Sequence, residues 1–182
     1  MPHAPINRVV VLGNIGSGKS TLSAWLAPRL DLPLVSLGLV CWRPGWEPVP
    51  NEESTEAMRC IVAGDRWLID GISRQATRAA DLIVFLDVPR RVAVTRLLRR
   101  NVRWLFRSRP DMPPRCPEIT MLPATLRTAW RFAATVRPDL LHHLAEARRR
   151  GAEVHHLGTD AEVEEFKREV ERRLGAGVTS PR

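Results

Sequence analysis

The sequence predicts a single α/β domain in three layers, with a five-stranded parallel sheet covered by helices on both faces. Five short apolar runs alternate with helical patterns along the 182 residues, as expected when crossover helices join parallel strands. A glycine-rich turn separates the first run from the first helical pattern. The length suits one domain with a sizeable core, and the sequence contains no internal repeat.

The five predicted strands are short and rich in apolar residues, as is typical of buried parallel strands. The third and fourth end in Asp70 and Asp87. In chain order, the strands are "RVVVLG", "LPLVSL", "RWLIDG", "ADLIVFLDVP" and "AEVHHLG".

Helices are predicted between these strands. In the first, Leu22, Trp25 and Leu26 recur at helical spacing, and Pro28 is expected to end or kink it near Ala27. The remaining predictions are an ordered loop over 41–52, a short helix over 53–63, a long helix over 90–108, an irregular stretch over 109–123 and two helical pieces split by Pro138, with Gly151 as a C-cap signal.

The C-terminal segment predicts a last helix that begins at a capping box of Thr159 and Glu162. Its buried stripe is expected to comprise Val163, Phe166, Val170 and Leu174. The domain is therefore predicted to span 1–174, with a disordered tail over 175–182.

The charge distribution points to a polyanionic partner. The net charge is +8, and residues 90–150 hold 15 arginines against four acids, which favours nucleotide phosphates or nucleic acid. No apolar run approaches the roughly 20 residues of a membrane span, and the N-terminus lacks a hydrophobic signal core. Three widely spaced cysteines fit reduced thiols rather than disulfides. We therefore expect a cytoplasmic protein without a membrane partner.

Residues 13–20 match the phosphate-loop pattern G-x-x-x-x-G-K-[ST] between a predicted strand and a predicted helix. Glycines let successive backbone N–H groups turn inward as an anion nest, and the following helix adds its positive end. A ligand-free glycine turn is the alternative interpretation. The predicted nucleotide-binding residues are Gly13, Asn14, Ile15, Gly16, Ser17, Gly18, Lys19, Ser20 and Thr21.

Lys19 is one of only two lysines in an arginine-rich chain. A compact ammonium fits inside a backbone cradle better than a planar guanidinium does. We expect Lys19 to reach the β- and γ-phosphates of ATP and the hydroxyl of Ser20 to coordinate Mg²⁺.

The rest of the sequence narrows the class of phosphate-loop protein. It lacks an N-K-x-D motif and an L-S-G-G-Q-like signature, which disfavours small GTPases and transporter ATPases. The "DG" at the end of the third strand resembles adenylate-kinase-like enzymes, and this resemblance implies that Asp70 organises Mg²⁺ with Ser20. The alternative is that Asp70 caps a turn. Asp87 is the rival acid, and in this layout the acid at that position is often structural.

An arginine stripe lies on the predicted long helix. Arg96, Arg100, Arg103 and Arg107 fall on one side with Arg99 nearby, and the predicted opposite side holds Val94, Leu97, Leu98 and Leu105. The helix carries no acid, so the stripe is expected to lack an internal partner and to contact phosphates or nucleic acid, the alternative being a solvated face.

The segment around 101–122 is predicted to be an arginine-rich lid that excludes water from the reaction. Arg96, Arg100, Arg107 and Arg109 are the candidates for clamping the transferred phosphoryl group. Related kinases contact adenine after the fifth strand, where this chain has Thr159 and Asp160. Trp42 and Trp46 are open to two interpretations, stacking on a base or pinning their loop to the core.

Four segments resemble the so-called DNA topology modulation proteins, a bacterial family related to adenylate kinase. They are "CWRPGWEP", "WLIDG", "ADLIVFLDVPRRVAVTRLLRR" and "RSRPDMPPRCPE". The resemblance implies a phosphate-loop kinase fold and a kinase-like activity without a settled acceptor. The chain departs from the family pattern at 36–38, where Ser-Leu-Gly replaces His-Leu-Asp, and after Asp70-Gly71, where Ile-Ser replaces Asn-Tyr.

Two functions follow from these patterns. The first is an ATP-binding, Mg²⁺-dependent phosphotransferase of the adenylate-kinase-like type with a small, possibly nucleotide, acceptor. Because no carboxylate stands at position 38, Asp70 is the remaining base candidate, and we expect a phosphorylated acceptor gripped by arginines or weak catalysis. The second is a regulatory nucleotide-binding protein that affects DNA topology through its basic surface.

Overall fold

The computed structural model describes residues 6–177. It contains a five-stranded parallel sheet made of β1 (Arg8–Gly13), β2 (Leu34–Ser36), β5 (Trp67–Asp70), β6 (Leu82–Leu86) and β7 (Glu153–Leu157), together with a short antiparallel hairpin of β3 (Trp42–Arg43) and β4 (Glu47–Pro48). The order in the sheet is β2-β5-β1-β6-β7. β1 is therefore central, and its carboxyl end lies between those of β5 and β6.

Within the described residues, the helices are α1 (Lys19–Arg29), α2 (Leu37–Cys41), α3 (Asn51–Ala63), α4 (Arg74–Ala79), α5 (Arg90–Trp104), α6 (Glu118–Thr135), α7 (Arg137–Arg149) and α8 (Asp160–Gly177), the last of which follows β7. In the described part of the chain, no helix is both long enough and apolar enough to span a membrane.

Two apolar clusters cover the two faces of the sheet, because successive side chains of a strand point to opposite faces. Val9 and Val11 of β1 pack against α1 and α8, whereas Val10 and Leu12 pack against α3, α4, α6 and α7. All four side chains are fully buried. The predicted three-layer α/β architecture with five parallel strands is confirmed.

The capping box of the last helix forms as predicted. The Thr159 hydroxyl accepts a hydrogen bond of 3.2 Å from the Glu162 amide, and the Glu162 carboxylate accepts one of 2.9 Å from the Thr159 amide. Phe166 and Val170 of the predicted buried stripe are buried. Leu174 is 38% exposed and does not belong to that stripe.

Several predicted boundaries need correction. Pro28 lies inside α1, which runs to Arg29. The segment 41–52 is not a plain loop, since it contains the hairpin. α5 ends at Trp104, and α6 begins at Glu118 and includes Pro123, so helix replaces part of the predicted irregular stretch. α8 extends three residues past 174, and the rest of the predicted tail, 178–182, lies outside the described residues.

Candidate active site

The phosphate loop lies at the carboxyl end of the central strand and leads directly into α1. Gly16 and Gly18 have φ angles of 82° and 101°, in the left-handed region that favours glycine. A Cβ at Gly16 would lie 2.2 Å from the carbonyl oxygen of Ala93 on α5. Glycine at this position therefore lets the loop pack closely beneath the helix that carries the arginine stripe.

Not every residue of the loop faces the cleft. The Asn14 side chain is buried, where Nδ2 donates a 2.8 Å hydrogen bond to the Ala129 carbonyl on α6 and Oδ1 accepts one of 2.7 Å from the Ile15 amide. Asn14 thus anchors the loop rather than pointing at a ligand. The loop residues that line the main cleft are Ile15, Gly16, Gly18, Lys19, Ser20 and Thr21.

Lys19 lies within this cleft and is held by its own loop. Its Nζ donates a 2.8 Å hydrogen bond to the Asn14 carbonyl. Burial lowers the pKa of Lys19 from 10.5 to about 8, with a further lowering from Arg100 and Arg109 and an opposing effect of Asp70. The ammonium is thus placed where it can meet an anion.

Asp70 is brought to the same cleft because β5 pairs with β1, where Val11 is its register partner. The residue is only 7% exposed. Burial raises the pKa of its carboxyl, and the Lys19 ammonium opposes this shift. Among the described residues, the buried Oδ1 of Asp70 has no hydrogen-bond partner.

The main cleft has a volume of about 530 Å³ and gathers residues from five parts of the chain. Of the four predicted clamp arginines, it is lined by Arg96, Arg100 and Arg109. Arg107 is exposed and does not line it, which corrects the expectation that it faces the transferred group. The side chains that complete the wall are Ser36, Leu37, Trp104, Pro110, Asp111 and Met112.

The inward-facing arginines are paired with acids, so the expectation of a stripe without an internal partner is wrong for Arg96 and Arg100. Arg99, Arg103 and Arg107 are exposed. Arg96 Nη2 lies 2.6 Å from both carboxylate oxygens of Asp160. Arg100 and Arg109 share Glu118, at 3.6 and 3.1 Å. The acids come from α6 and α8, which helical periodicity within α5 could not reveal.

The apolar side of α5 is also only partly as predicted. Ala93, Leu97 and Asn101 form its buried row, whereas Leu98 is 45% exposed.

Sequence reasoning missed Asp111 and Glu118, which lie at the centre of the lid contacts. Asp111 Oδ2 accepts hydrogen bonds of 3.3 Å from the Ser20 hydroxyl and 3.1 Å from Arg109 Nη2. Glu118 is 2% exposed. One feature of the sequence could have drawn attention to them: they are the only acids between residues 90 and 138, in a segment rich in arginine.

The hairpin after β2 is joined to the lid loop by Trp46. The Trp46 amide donates to Cys116 Sγ at 3.3 Å, and its Nε1 donates to the Pro117 carbonyl at 2.9 Å. Trp42 packs edge-on against Trp46, with 5.4 Å between ring centroids. Neither indole lines the cleft. The contacts therefore fit the interpretation that the tryptophans pin their own loop, but they attach it to the lid loop rather than to the core.

A second cavity of about 290 Å³ lies on the other side of Arg96, between α1 and α8. Its wall includes Asp160 but not Thr159, whose side chain caps α8. The residues that line it are Ser17, Gly18, Thr21, Leu22, Leu86, Arg96, Asp160, Val163, Glu164 and Lys167.

Comparison with solved structures identifies the fold. A shikimate kinase from Acinetobacter baumannii, solved in complex with shikimate, matches with a TM-score of 0.50 and 14% identity, over 96% of each chain. A gluconokinase from Sinorhizobium meliloti 1021 matches with a TM-score of 0.49 and 16% identity, over 96% of this chain and 94% of that one. The likeness to the shikimate kinase shows that the chain has the phosphate-loop kinase fold.

Sequence comparisons add no relative. No family model matches the chain, and no curated protein matches it. The resemblance to DNA topology modulation proteins stays a prediction.

Proposed function

We propose that this chain is an ATP-dependent phosphotransferase that moves the γ-phosphate of ATP to a small acceptor, with Mg²⁺ as its cofactor. The observation that carries the proposal is the meeting of Lys19, Ser20 and Asp70 in one cleft, beside a glycine cradle at the end of the central strand. Each of these residues has a chemical role there.

The loop amides and Lys19 bind the phosphates. The positive φ angles of Gly16 and Gly18 shape the backbone into an anion nest, and the N-terminus of α1 adds its partial positive charge. Lys19 exchanges its hydrogen bond with the Asn14 carbonyl for one with a phosphate oxygen.

Ser20 and Asp70 suit Mg²⁺, which prefers hydroxyl and carboxylate oxygens. The unpartnered buried Oδ1 of Asp70 supports this assignment, because a buried carboxylate oxygen without a donor is costly unless a cation or water meets it. When bound, Mg²⁺ neutralises charge on the phosphates.

Arg96, Arg100 and Arg109 stabilise the charge that spreads over the transferred group. Their guanidinium groups line the cleft from α5 and from the lid loop. Closure of the lid over them excludes water from the reaction.

The second cavity accepts the nucleoside. It opens beside Gly18 and combines apolar walls from Leu22, Leu86 and Val163 with the polar Asp160, a combination that suits a purine base and its edge. Of the two residues expected from the sequence to contact adenine, Asp160 lines this cavity.

The test is ADP production with a panel of nucleosides, nucleotides and small alcohols, alongside equilibrium ATP binding. We expect acceptor-stimulated turnover that Lys19→Ala abolishes, and ATP binding that the same substitution weakens. ATP binding without turnover on any acceptor would instead favour the regulatory alternative, which the exposed Arg99, Arg103 and Arg107 support.

A further inference from the structure

Gly38 allows the lid loop to occupy the end of β2. A Cβ at Gly38 would lie 2.4 Å from Met112 Sδ and 3.1 Å from the Asp111 carbonyl oxygen. The Ser36 hydroxyl also donates a 3.1 Å hydrogen bond to that carbonyl. A side chain at position 38 would therefore force the Met112 side chain to move and would crowd the backbone of Asp111.

The loop brings a carboxylate into the acceptor side of the cleft. Asp111 lines the cleft with Gly38 and Asp70, and its side chain is 28% exposed. Among the described residues, its carboxylate hydrogen bonds both involve Oδ2, with Ser20 and Arg109 as donors. Oδ1 is left to meet a ligand. The carboxylate of Asp111 thus lies beside the end of β2, although residues 36–38 at that end include no carboxylate of their own.

The charges around the cleft disfavour a phosphorylated acceptor. Glu118 neutralises charge on Arg100 and Arg109, and Asp160 does so on Arg96. Lys19 serves the phosphates of ATP. An additional phosphate would have to share these guanidinium groups with the transferred group and with their acids, and it would meet the like charges of Asp70 and Asp111. A neutral hydroxyl compound meets neither obstacle.

We propose that Asp111 is the general base of this enzyme and that the acceptor is a neutral hydroxyl compound. This inference rests on the proposed phosphotransferase function. The acceptor O–H bond breaks and its proton passes to the Asp111 carboxylate, while the acceptor oxygen bonds to the γ-phosphorus. The bond from that phosphorus to the β–γ bridging oxygen breaks, and its electron pair leaves with ADP.

Water is the smallest neutral hydroxyl acceptor, so ATP hydrolysis in the absence of any other acceptor tests the base without knowledge of the substrate. We would measure this hydrolysis and the Kd for ATP in the wild type, Asp111→Asn, Asp111→Glu and Asp65→Asn. Asp65 is a matched control because its side chain is 98% exposed and pairs only with Arg8 among the described residues. A second arm compares polyols and nucleosides with nucleoside monophosphates as acceptors.

We expect Asp111→Asn to lower hydrolysis by about 10²- to 10⁴-fold, the usual range for loss of a general base. The Kd for ATP should stay within a few-fold, Asp111→Glu should restore part of the rate, and Asp65→Asn should change nothing. Hydroxyl compounds should be phosphorylated and nucleoside monophosphates should not.

Three results would overturn the inference and leave the proposed function standing. They are an unchanged rate in Asp111→Asn, an increased rate, which would show that Asp111 blocks the cleft, and preferred transfer to a nucleoside monophosphate. If the wild type binds no ATP, or binds it without hydrolysis or transfer, the proposed function fails and this inference fails with it.

Discussion

The ammonium of Lys19 donates a 2.8 Å hydrogen bond to the main-chain carbonyl of Asn14, so the backbone of the phosphate loop itself positions this cation. The same burial that positions the ammonium lowers the pKa of Lys19 to about 8. The ammonium of Lys19 therefore loses its proton within a pH range that is open to experiment.

The affinity for ATP should fall as the pH rises above about 8. The free protein loses the Lys19 proton in this range, whereas the anionic phosphates favour the protonated form, so binding must take up a proton. Linkage then predicts that the Kd rises by up to about tenfold per pH unit. Titration calorimetry between pH 6.5 and 9.5 measures the effect. Lys19→Ala should bind weakly, and its Kd should not show this rise.

Removal of the Lys19 charge should stabilise the fold at neutral pH. The pKa of Lys19 is about 8 in the folded chain against 10.5 for the ordinary side chain, so the folded state binds fewer protons between these values. Wild-type stability therefore rises with pH across this window. At pH 7 the cost of the charge is about 3 kcal/mol at most, from about 1.4 kcal/mol per pKa unit.

Thermal melting of Lys19→Met should accordingly show a Tm several degrees above the wild type at pH 7, at about 2–4 °C per kcal/mol for a chain of this size. The gain should shrink as the pH approaches 10.5. Lys167→Met is the control, since it removes the only other lysine. An equal gain from both variants would assign the effect to net charge rather than to burial.

Glu118→Gln should destabilise the lid. Glu118 is 2% exposed and faces both Arg100 and Arg109. Removal of this acid leaves Arg100 without its counter-charge and leaves Arg109 with Asp111 alone. Loss of one partner of a buried ion pair costs about 3–5 kcal/mol, and we expect somewhat less here because Arg100 is 29% exposed. Urea unfolding measures this loss in the free energy of unfolding. Glu56→Gln, which removes an exposed partner of Arg59, should cost below about 1 kcal/mol.

The sequence was sufficient for the sheet and the phosphate loop because both depend on local signals. Each strand is a short apolar run, and the loop is a contiguous motif whose glycines, Lys19 and Ser20 have fixed roles. The lid could not be predicted in the same way. Glu118 and Asp160 pair with arginines that are distant in sequence, and the contact of Gly38 with Met112 joins residues 74 positions apart. Such pairings depend on how helices pack, which periodicity within one helix does not specify.

Trp46→Phe should loosen the lid without emptying the space that the ring fills. The substitution keeps the aromatic body and removes the Nε1 donor to the Pro117 carbonyl. The lid loop carries Arg107, Arg109 and Arg115, so limited trypsin digestion reports its opening directly. We expect cleavage in this loop to become about threefold to tenfold faster, since one hydrogen bond contributes about 1 kcal/mol. Trp130→Phe, at a half-exposed position on α6, should leave the cleavage rate unchanged.

The two candidate functions make different demands on the exposed arginines of α5. Arg99 and Arg103 point to solvent and do not line the cleft, so Arg99→Ala/Arg103→Ala should leave the Kd for ATP unchanged. If the chain also binds duplex DNA through this face, the salt dependence of that binding should weaken, because each lost phosphate contact lowers the slope of log K against log salt by about 0.9. Fluorescence anisotropy of labelled duplex DNA at several salt concentrations, with and without ATP, measures this slope. A slope that the double substitution leaves unchanged would exclude Arg99 and Arg103 from DNA contact and would remove the observation that favours the regulatory alternative on this face.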